Sequence, residues 1–251
     1  MQPFRLILDE SRSATLNMAV DEYLVNSQLA KGAGPILRFY SWDEPSITLG
    51  YFQKIEDAVR KFGAREKNIP VVRRISGGGA VRHGEDLTFS LVLKTTNPFF
   101  PTDVKSSYRR IHEAIRVGLK GLYPKLDYAD CRLPAGRQGT VLASKRQSGE
   151  RVCFESPACD DLLLEGKKIL GASQRRIGKN LLHQSSIFLG ETREGLIRNI
   201  LSGFESLWKV GFEEKPLSEE ELMRARELEE KRYGSPEWAR PVVTADAAAV
   251  R

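Results

Sequence analysis

The chain has 251 residues, 41% of them hydrophobic, and its 39 Lys and Arg against 33 Asp and Glu leave a net charge of +6. This composition supports one large globular domain and excludes a disordered chain or a small disulfide-stapled one. An odd number of cysteines, 3, and an N-terminal stretch without a long apolar run point to a cytoplasmic protein with reduced thiols, no signal segment and no membrane span.

Arg5–Leu8 reads as a short strand. Ser11–Asn26 reads as an amphipathic helix, with Leu16, Ala19, Val20, Tyr23 and Leu24 at helical spacing. Lys31–Pro35 breaks it, and Ile36–Tyr40 and Ser46–Gly50 read as paired strands around a Trp-Asp-Glu-Pro turn. A helix is expected over 55–62, a strand over 71–74 and the strongest strand of the chain over 87–93, where β-formers crowd and charge is absent. Tyr108–Leu122 carries Ile111, Ile115, Leu119 and Leu122 on one helical face. Strands follow at 162–164, 169–170 and 185–189, and Ser218 with Glu221 forms a capping box opening a charged helix to about Lys231. Strands and helices mix irregularly, unlike a doubly wound sheet. Residues 131–149, rich in Gly, Arg, Gln and Ser, read as a loop insertion. Residues 216–240 read as a helical extension packed on a 1–215 domain, and 241–251 as a flexible tail.

Three segments carry chemistry. Arg73-Arg-Ile-Ser-Gly-Gly-Gly-Ala-Val-Arg-His83 places consecutive glycines beside two arginines. Such a run suits backbone that approaches a ligand and offers it N–H groups, and equally a glycine-rich hairpin turn; its spacing is neither a Walker loop nor a dinucleotide fingerprint. Glu165-Gly-Lys-Lys-Ile-Leu-Gly-Ala-Ser-Gln174 is a tight turn returning as a strand with Lys168 on it. A lysine fixed there can stabilise an oxyanion, or it is one more solvated surface charge. Arg151-Val-Cys153-Phe-Glu-Ser-Pro157 sets a thiol beside a cation, either a nucleophile or a small buried apolar residue. No cysteine or histidine spacing suits a metal. The Arg-Arg pairs admit a nucleic-acid binder, but the charges are interleaved and no aromatic-basic module is present.

Taken in order, Leu37–Trp42, Ile47–Gln53, Arg73–His83, Leu87–Ser90, Gly166–Gln174 and Leu182–Leu189 resemble the catalytic domain of the biotin and lipoate protein ligase superfamily, over most of residues 4–240. Within it the chain is most similar to the cysteine-dependent octanoyltransferases of the lipoate ligase-like branch. Cys153-Phe-Glu-Ser-Pro157 matches that branch's nucleophile motif, Tyr233–Trp238 matches as well, and the chain ends before the accessory domain that usually follows a ligase core. Ser76-Gly-Gly-Gly-Ala80 is closer to the ligase form of the loop. Gly-Ala-Ser-Gln at 171–174 stands for the family's Gly-Ser-Ala-Gln, and Gln184-Ser-Ser for its His-Gly-Ser.

The resemblance implies an α+β fold with a mixed, largely antiparallel central sheet flanked by helices. It implies transfer of an octanoyl or lipoyl group from acyl carrier protein to a lysine of a lipoyl carrier domain, of the glycine cleavage H protein or dehydrogenase E2 type, without cofactor, metal, nucleic acid or membrane. Cys153 and Lys168 would be catalytic. Arg74, Ser76, Gly77, Gly78, Gly79, Ala80, His83, Gly171 and Gln174 would bind substrate, and Phe39, Tyr40 and Leu49 would wall the acyl chain. The alternative it implies is an ATP-dependent lipoate ligase, with ATP and Mg and an acyl-adenylate on the glycine loop. On either reading, acidic carrier proteins suit a basic partner.

Overall fold

The computed structural model describes residues 3–31, 34–65, 67–96, 103–129 and 157–239. In chain order the elements are β1 (Phe4–Arg12), α1 (Ala14–Lys31), β2 (Ile36–Trp42), β3 (Ser46–Leu49), α2 (Ile55–Phe62), β4 (Val71–Arg73), β5 (Val81–His83), β6 (Leu87–Lys94), α3 (Val104–Leu119) and β7 (Leu126–Tyr128). After the undescribed stretch come β8 (Leu162–Leu164), β9 (Lys167–Lys168), β10 (Leu170–Ile177), β11 (Asn180–Ile187), α4 (Arg193–Trp208), β12 (Phe212–Glu214), α5 (Glu219–Leu228), a π-helical turn (Glu229–Tyr233) and the one-turn α6 (Pro236–Ala239). The expected insertion at 131–149, the tail at 241–251 and Cys153 lie outside the described residues.

Side-chain alternation along β6 sets the layers. Leu87, Phe89, Leu91 and Leu93 point to one face and Thr88, Ser90 and Val92 to the other, and all are buried. A strand covered on both faces needs cover from both sides. On the first face α3 and α4 pack through Ile111, Ile115, Ile200, Phe204 and Trp208. Their backbones touch where a Cβ on Gly118 or Gly203 would sit 2.0 Å from a carbonyl oxygen of the other helix. On the second face lies α1, itself covered by α5 through Leu222, Ala225 and Leu228. This leaves α1 buried nearly all round, unlike the one-sided helix its pattern suggests.

The central sheet runs β10-β11-β6-β2-β1-β12, antiparallel from β10 to β2 and parallel from β2 to β12. The architecture is α+β with a mixed sheet, as the resemblance implies. A second sheet, β4-β3-β5, holds the glycine segment between β4 and β5, and a third, β7-β8-β9, holds Lys168. No described helix is long and apolar enough to cross a membrane.

One expectation is corrected. Ile36–Tyr40 and Ser46–Gly50 do not pair with each other. Both edges of β2 are taken, by β1 and β6, so the Trp-Asp-Glu-Pro turn carries the chain into the second sheet, where β3 pairs with β4 and β5. The helix expected from Tyr108 starts a turn earlier because Asp103 accepts the Ser106 amide at 2.8 Å and caps it. The strand expected at 185–189 instead spans Asn180–Ile187, held by eight register pairs with β6. The structure adds β5, β7, α4 and β12 to the expected set.

Candidate active site

Arg73 and Arg74 point opposite ways, as neighbours in a strand must. Arg73 turns toward α6 and ties the 50–53 turn down, donating to the carbonyls of Tyr51 and Gln53 at 2.7 Å. Its Nε donates to Trp238 O at 3.1 Å, and the Trp238 indole donates back to Arg73 O at 2.8 Å. Arg74 turns inward and shapes the glycine loop. Its Nη2 donates to the carbonyls of Gly77 and Gly79, both at 2.7 Å, and its Nη1 to Thr48 O at 3.1 Å and Thr48 Oγ1 at 3.0 Å. Gly78 adopts φ +88°, a conformation that favours glycine. Gly50 lies so close beneath that a Cβ there would be 2.0 Å from Gly78 O.

The loop borders a small cavity of about 30 Å³. Met18, Tyr40, Trp42 and Val81 supply its apolar wall, and Arg74, His83, Gly171 and Ser173 also line it. Ser76 Oγ lies 2.8 Å from Ser173 Oγ and donates to Gln184 Oε1 at 2.5 Å, joining the loop to β10 and β11. Beneath, Gln184 Nε2 donates to Asp21 Oδ2 at 2.8 Å, and Asp21 in turn receives Tyr40, Ser90 and the buried Arg38. A buried carboxylate needs such partners, which is why polar Ser90 sits in an otherwise apolar strand.

His83 is held on three sides. Its Nδ1–H donates to Asp86 Oδ2 at 2.8 Å, its Nε2 lies 2.9 Å from Thr48 Oγ1, and its ring stacks on Trp42 at 3.9 Å. Burial pushes the Asp86 carboxyl up, but His83, Ser186 and Thr88 outweigh it and hold the group well below the ordinary carboxylate range. With Nε2 engaged by Thr48, His83 is oriented rather than left open as a base.

A wider groove of about 650 Å³ adjoins, lined by Phe62, Arg82, Lys168 and Phe188 and sharing Trp42 and His83 with the cavity. Lys168 reaches it from the two-residue strand β9, after a turn in which Glu165 and Gly166 take φ 51° and 81°. Its Nζ lies 2.7 Å from Asp161 Oδ2, and both side chains are nearly buried.

The expected site residues therefore separate into groups. Arg74, His83 and Gly171 line the cavity, Ser76 reaches its wall through Ser173 and Gln184, and Lys168 stands in the adjoining groove. Gly77, Gly78 and Gly79 form the loop around Arg74, while Ala80 packs with Ile47, Leu49 and Ala58 away from it. Gln174 lies on the opposite face of β10, accepting Ser107 Oγ at 2.9 Å and sitting 3.1 Å from His183 Nδ1. Of the aromatic and aliphatic wall positions, Tyr40 lines the cavity; Phe39 faces α3 and α4, and Leu49 the small cluster. Asp86 lies in none of the motifs, and Trp42, Thr48 and Gln184 lie inside them without being marked as site residues. The polar Thr88 and Ser90 inside the strongest strand are the signal that a polar site lies on that face.

Behind the sheet, His183 and His112 face each other, with ring centres 5.9 Å apart, each packed against Tyr108. Burial lowers the pKa of both, and His183 is lowered further by His112. Both are therefore neutral in the fold, whereas the unfolded chain takes up protons below about pH 6.5. Stability is thus expected to fall as pH drops from about 6.5, and urea titrations from pH 8 to 5 should show the slope halved in His183→Gln. A flat profile over that range would contradict it.

Residues 13–204 match the lipoyl protein ligase A/B catalytic domain. The chain belongs to this family. Its curated relatives include octanoyltransferase LipM of Bacillus anthracis, 31% identical over 90% of this chain and 94% of that protein. That of Exiguobacterium is 36% identical over 77% of this chain and 68% of that protein. Among solved structures, a lipoate-protein ligase A bound with ATP superimposes with a TM-score of 0.75 at 25% identity, covering 95% of this chain and 98% of that one. Protein Ta0514 of T. acidophilum with bound lipoic acid gives 0.73 at 26%, covering 95% and 99%. The protein is thus an octanoyltransferase homologue over most of its length, within a family of protein lipoylation.

Proposed function

We propose that this protein moves an octanoyl group from acyl carrier protein to a lysine of a lipoyl carrier domain through a thioester on Cys153. The observation that carries the reading is Lys168 in a groove that meets a small apolar cavity at Trp42 and His83. The octanoyl chain runs along the groove toward the wall of Met18, Tyr40 and Val81, which parts to seat its end, with its carbonyl at the junction. Cys153 Sγ forms a bond to that carbonyl carbon, and the carrier thiol leaves with a proton. In the second step the acceptor amine attacks the same carbon, the amide forms, and the Cys153 thiol is restored. Lys168 stabilises the charge on the carbonyl oxygen in both steps and favours the neutral form of the incoming amine by repulsion. Arg74 holds the shape of the Ser76–Ala80 loop, which closes one side of the cavity. Exchange between thioesters is nearly isoenergetic and thioester to amide is downhill, so no ATP is consumed. The charge of +6 favours encounter with acidic carriers.

The purified protein, incubated with octanoyl-carrier protein and no nucleotide, should gain one octanoyl group, with peptide mapping placing it on Cys153. No adduct would defeat the covalent route. A second reading, ATP-dependent ligation, is supported by the ligase-like Ser76-Gly-Gly-Gly loop and the likeness to the ATP-bound ligase structure. Lipoylation of an apo carrier domain by lipoate and MgATP, unchanged in Cys153→Ala, would establish it instead.

A further inference from the structure

We propose that Asp161 is a positioning residue for Lys168: its carboxylate fixes the ammonium at the reaction centre and joins it to the segment that follows Cys153. This rests on the acyl-transfer reading above. A lysine has a long flexible stem, and holding its head in one place costs rotamer freedom. The backbone gives little help here, because β9 is two residues long and pairs with β8 through Leu163 and Leu164 alone. Asp161 supplies the constraint. Its Oδ2 lies 2.7 Å from Lys168 Nζ, with side chains 9% and 5% exposed, so solvent screens the pair weakly.

The carboxylate is itself anchored. The same Oδ2 accepts the Ala158 amide at 2.6 Å, and the Asp161 amide donates to Ala158 O at 3.1 Å. The Asp161 carbonyl accepts the Ala129 amide at 2.8 Å, which fastens the turn to the end of β7. Next to it Asp160, at φ 67°, binds Arg109 through Oδ1 at 2.9 Å and accepts His112 Nδ1 on its carbonyl at 2.7 Å. Lys168 is thus referenced to α3, to β7 and to the 157–161 turn through one side chain. An electrostatic catalyst acts through a charge already in place, which is what this anchoring provides.

Asp161→Asn separates the two duties of the carboxylate. The amide oxygen still accepts the Ala158 N–H, while the charge facing Lys168 is gone. The expected result is a fall in kcat for octanoyl transfer of about 10- to 100-fold with KM within about threefold, assayed well below a melting temperature that itself falls because Lys168 loses its counter-charge. In a Lys168→Ala background the same substitution should cost nothing further, because the residue it serves is absent. Asp161→Glu, which keeps the charge, should retain more kcat than Asp161→Asn. Wild-type kcat in Asp161→Asn, equal losses in the Asn and Glu variants, or losses that multiply with Lys168→Ala would each overturn the proposal. A wild-type protein that transfers no octanoyl group overturns the acyl-transfer reading and this inference with it.

Discussion

Cys153→Ala is expected to reduce ATP-independent octanoyl transfer by on the order of 10³-fold or more, with the melting temperature unchanged. The size follows from what is lost. Without the thiol the acceptor amine must attack the carrier thioester directly, which needs both large carriers at one site at once, whereas the thioester on Cys153 splits the reaction into two separately bound steps. Oxyanion stabilisation by Lys168 and the cavity remain, so the residual rate should stay above the uncatalysed one. Steady-state transfer to an apo lipoyl domain, scored by intact mass, measures it. An undiminished rate would remove Cys153 from the mechanism. Lys168→Ala in the same assay, with its oxyanion donor gone but the thiol present, should still form the Cys153 adduct slowly.

The largest effect on stability belongs to a residue distant from the thiol. Arg38→Met should destabilise the fold by about 3–5 kcal/mol, the usual consequence of removing one partner of a buried ion pair. Arg38 is fully buried, with Nη1 at 2.8 Å from Asp21 Oδ1, Nη2 at 2.8 Å from Asp9 Oδ2 and at 2.6 Å from Asn17 Oδ1, and its guanidinium carbon 4.0 Å from the Tyr40 ring centre. Methionine fills much of the volume but leaves Asp21 without its cation and Asp9 with Arg12 alone. For a chain of this size the melting temperature should fall by about 10 °C. The pH dependence gives an independent check. Burial raises the pKa of Asp9, yet Arg38 and Arg12 outweigh it and hold the group below its ordinary value. A depressed carboxylate contributes stability above the unfolded pKa of about 3.9, and that stability is lost as pH falls through the folded value. The gap between wild type and Arg38→Met should therefore narrow below about pH 4. A destabilisation under 1 kcal/mol at pH 7 would show that Asp9 and Asp21 find other partners. Because Asp21 also receives Gln184, which binds Ser76, the variant should loosen the glycine loop and raise KM for the acyl donor.

Much of the fold is legible from local pattern. The β6 run, the helix through Ile111, Ile115 and Leu119 and the Ser218–Glu221 capping box each occupy a few turns or one strand, and each was formed as its residues suggest. The α4 helix carried the same kind of signal, in Leu196, Ile197, Ile200 and Phe204, and could have been read the same way. The neighbourhood of the site is legible in part. Glycines at 77–79 beside arginines mark the loop, although Arg74 uses its donors on the loop's own carbonyls. The pairings across the chain are another matter. Arg38 is 29 residues from Asp9 and 17 from Asp21, and nothing in the residues between announces that they meet.

Local order along the chain decides which segments become helix or strand, where they are capped and which motifs follow one another, because those depend on neighbours within a turn or a pleat. Partners and faces are decided only when the sheet closes. Pleating sends adjacent residues to opposite sides, so Ser173 faces the cavity while Gln174, one residue on, faces α3. Which of the two would meet substrate depends on the register of β10 with β11, set by Ser173 opposite Gln184 and Gln174 opposite His183. The placement of Lys168 is of the same kind. Its sequence marks it as a lysine on a short hairpin, and only the packing of the 157–161 turn against β7 and α3 brings Asp161 under its ammonium.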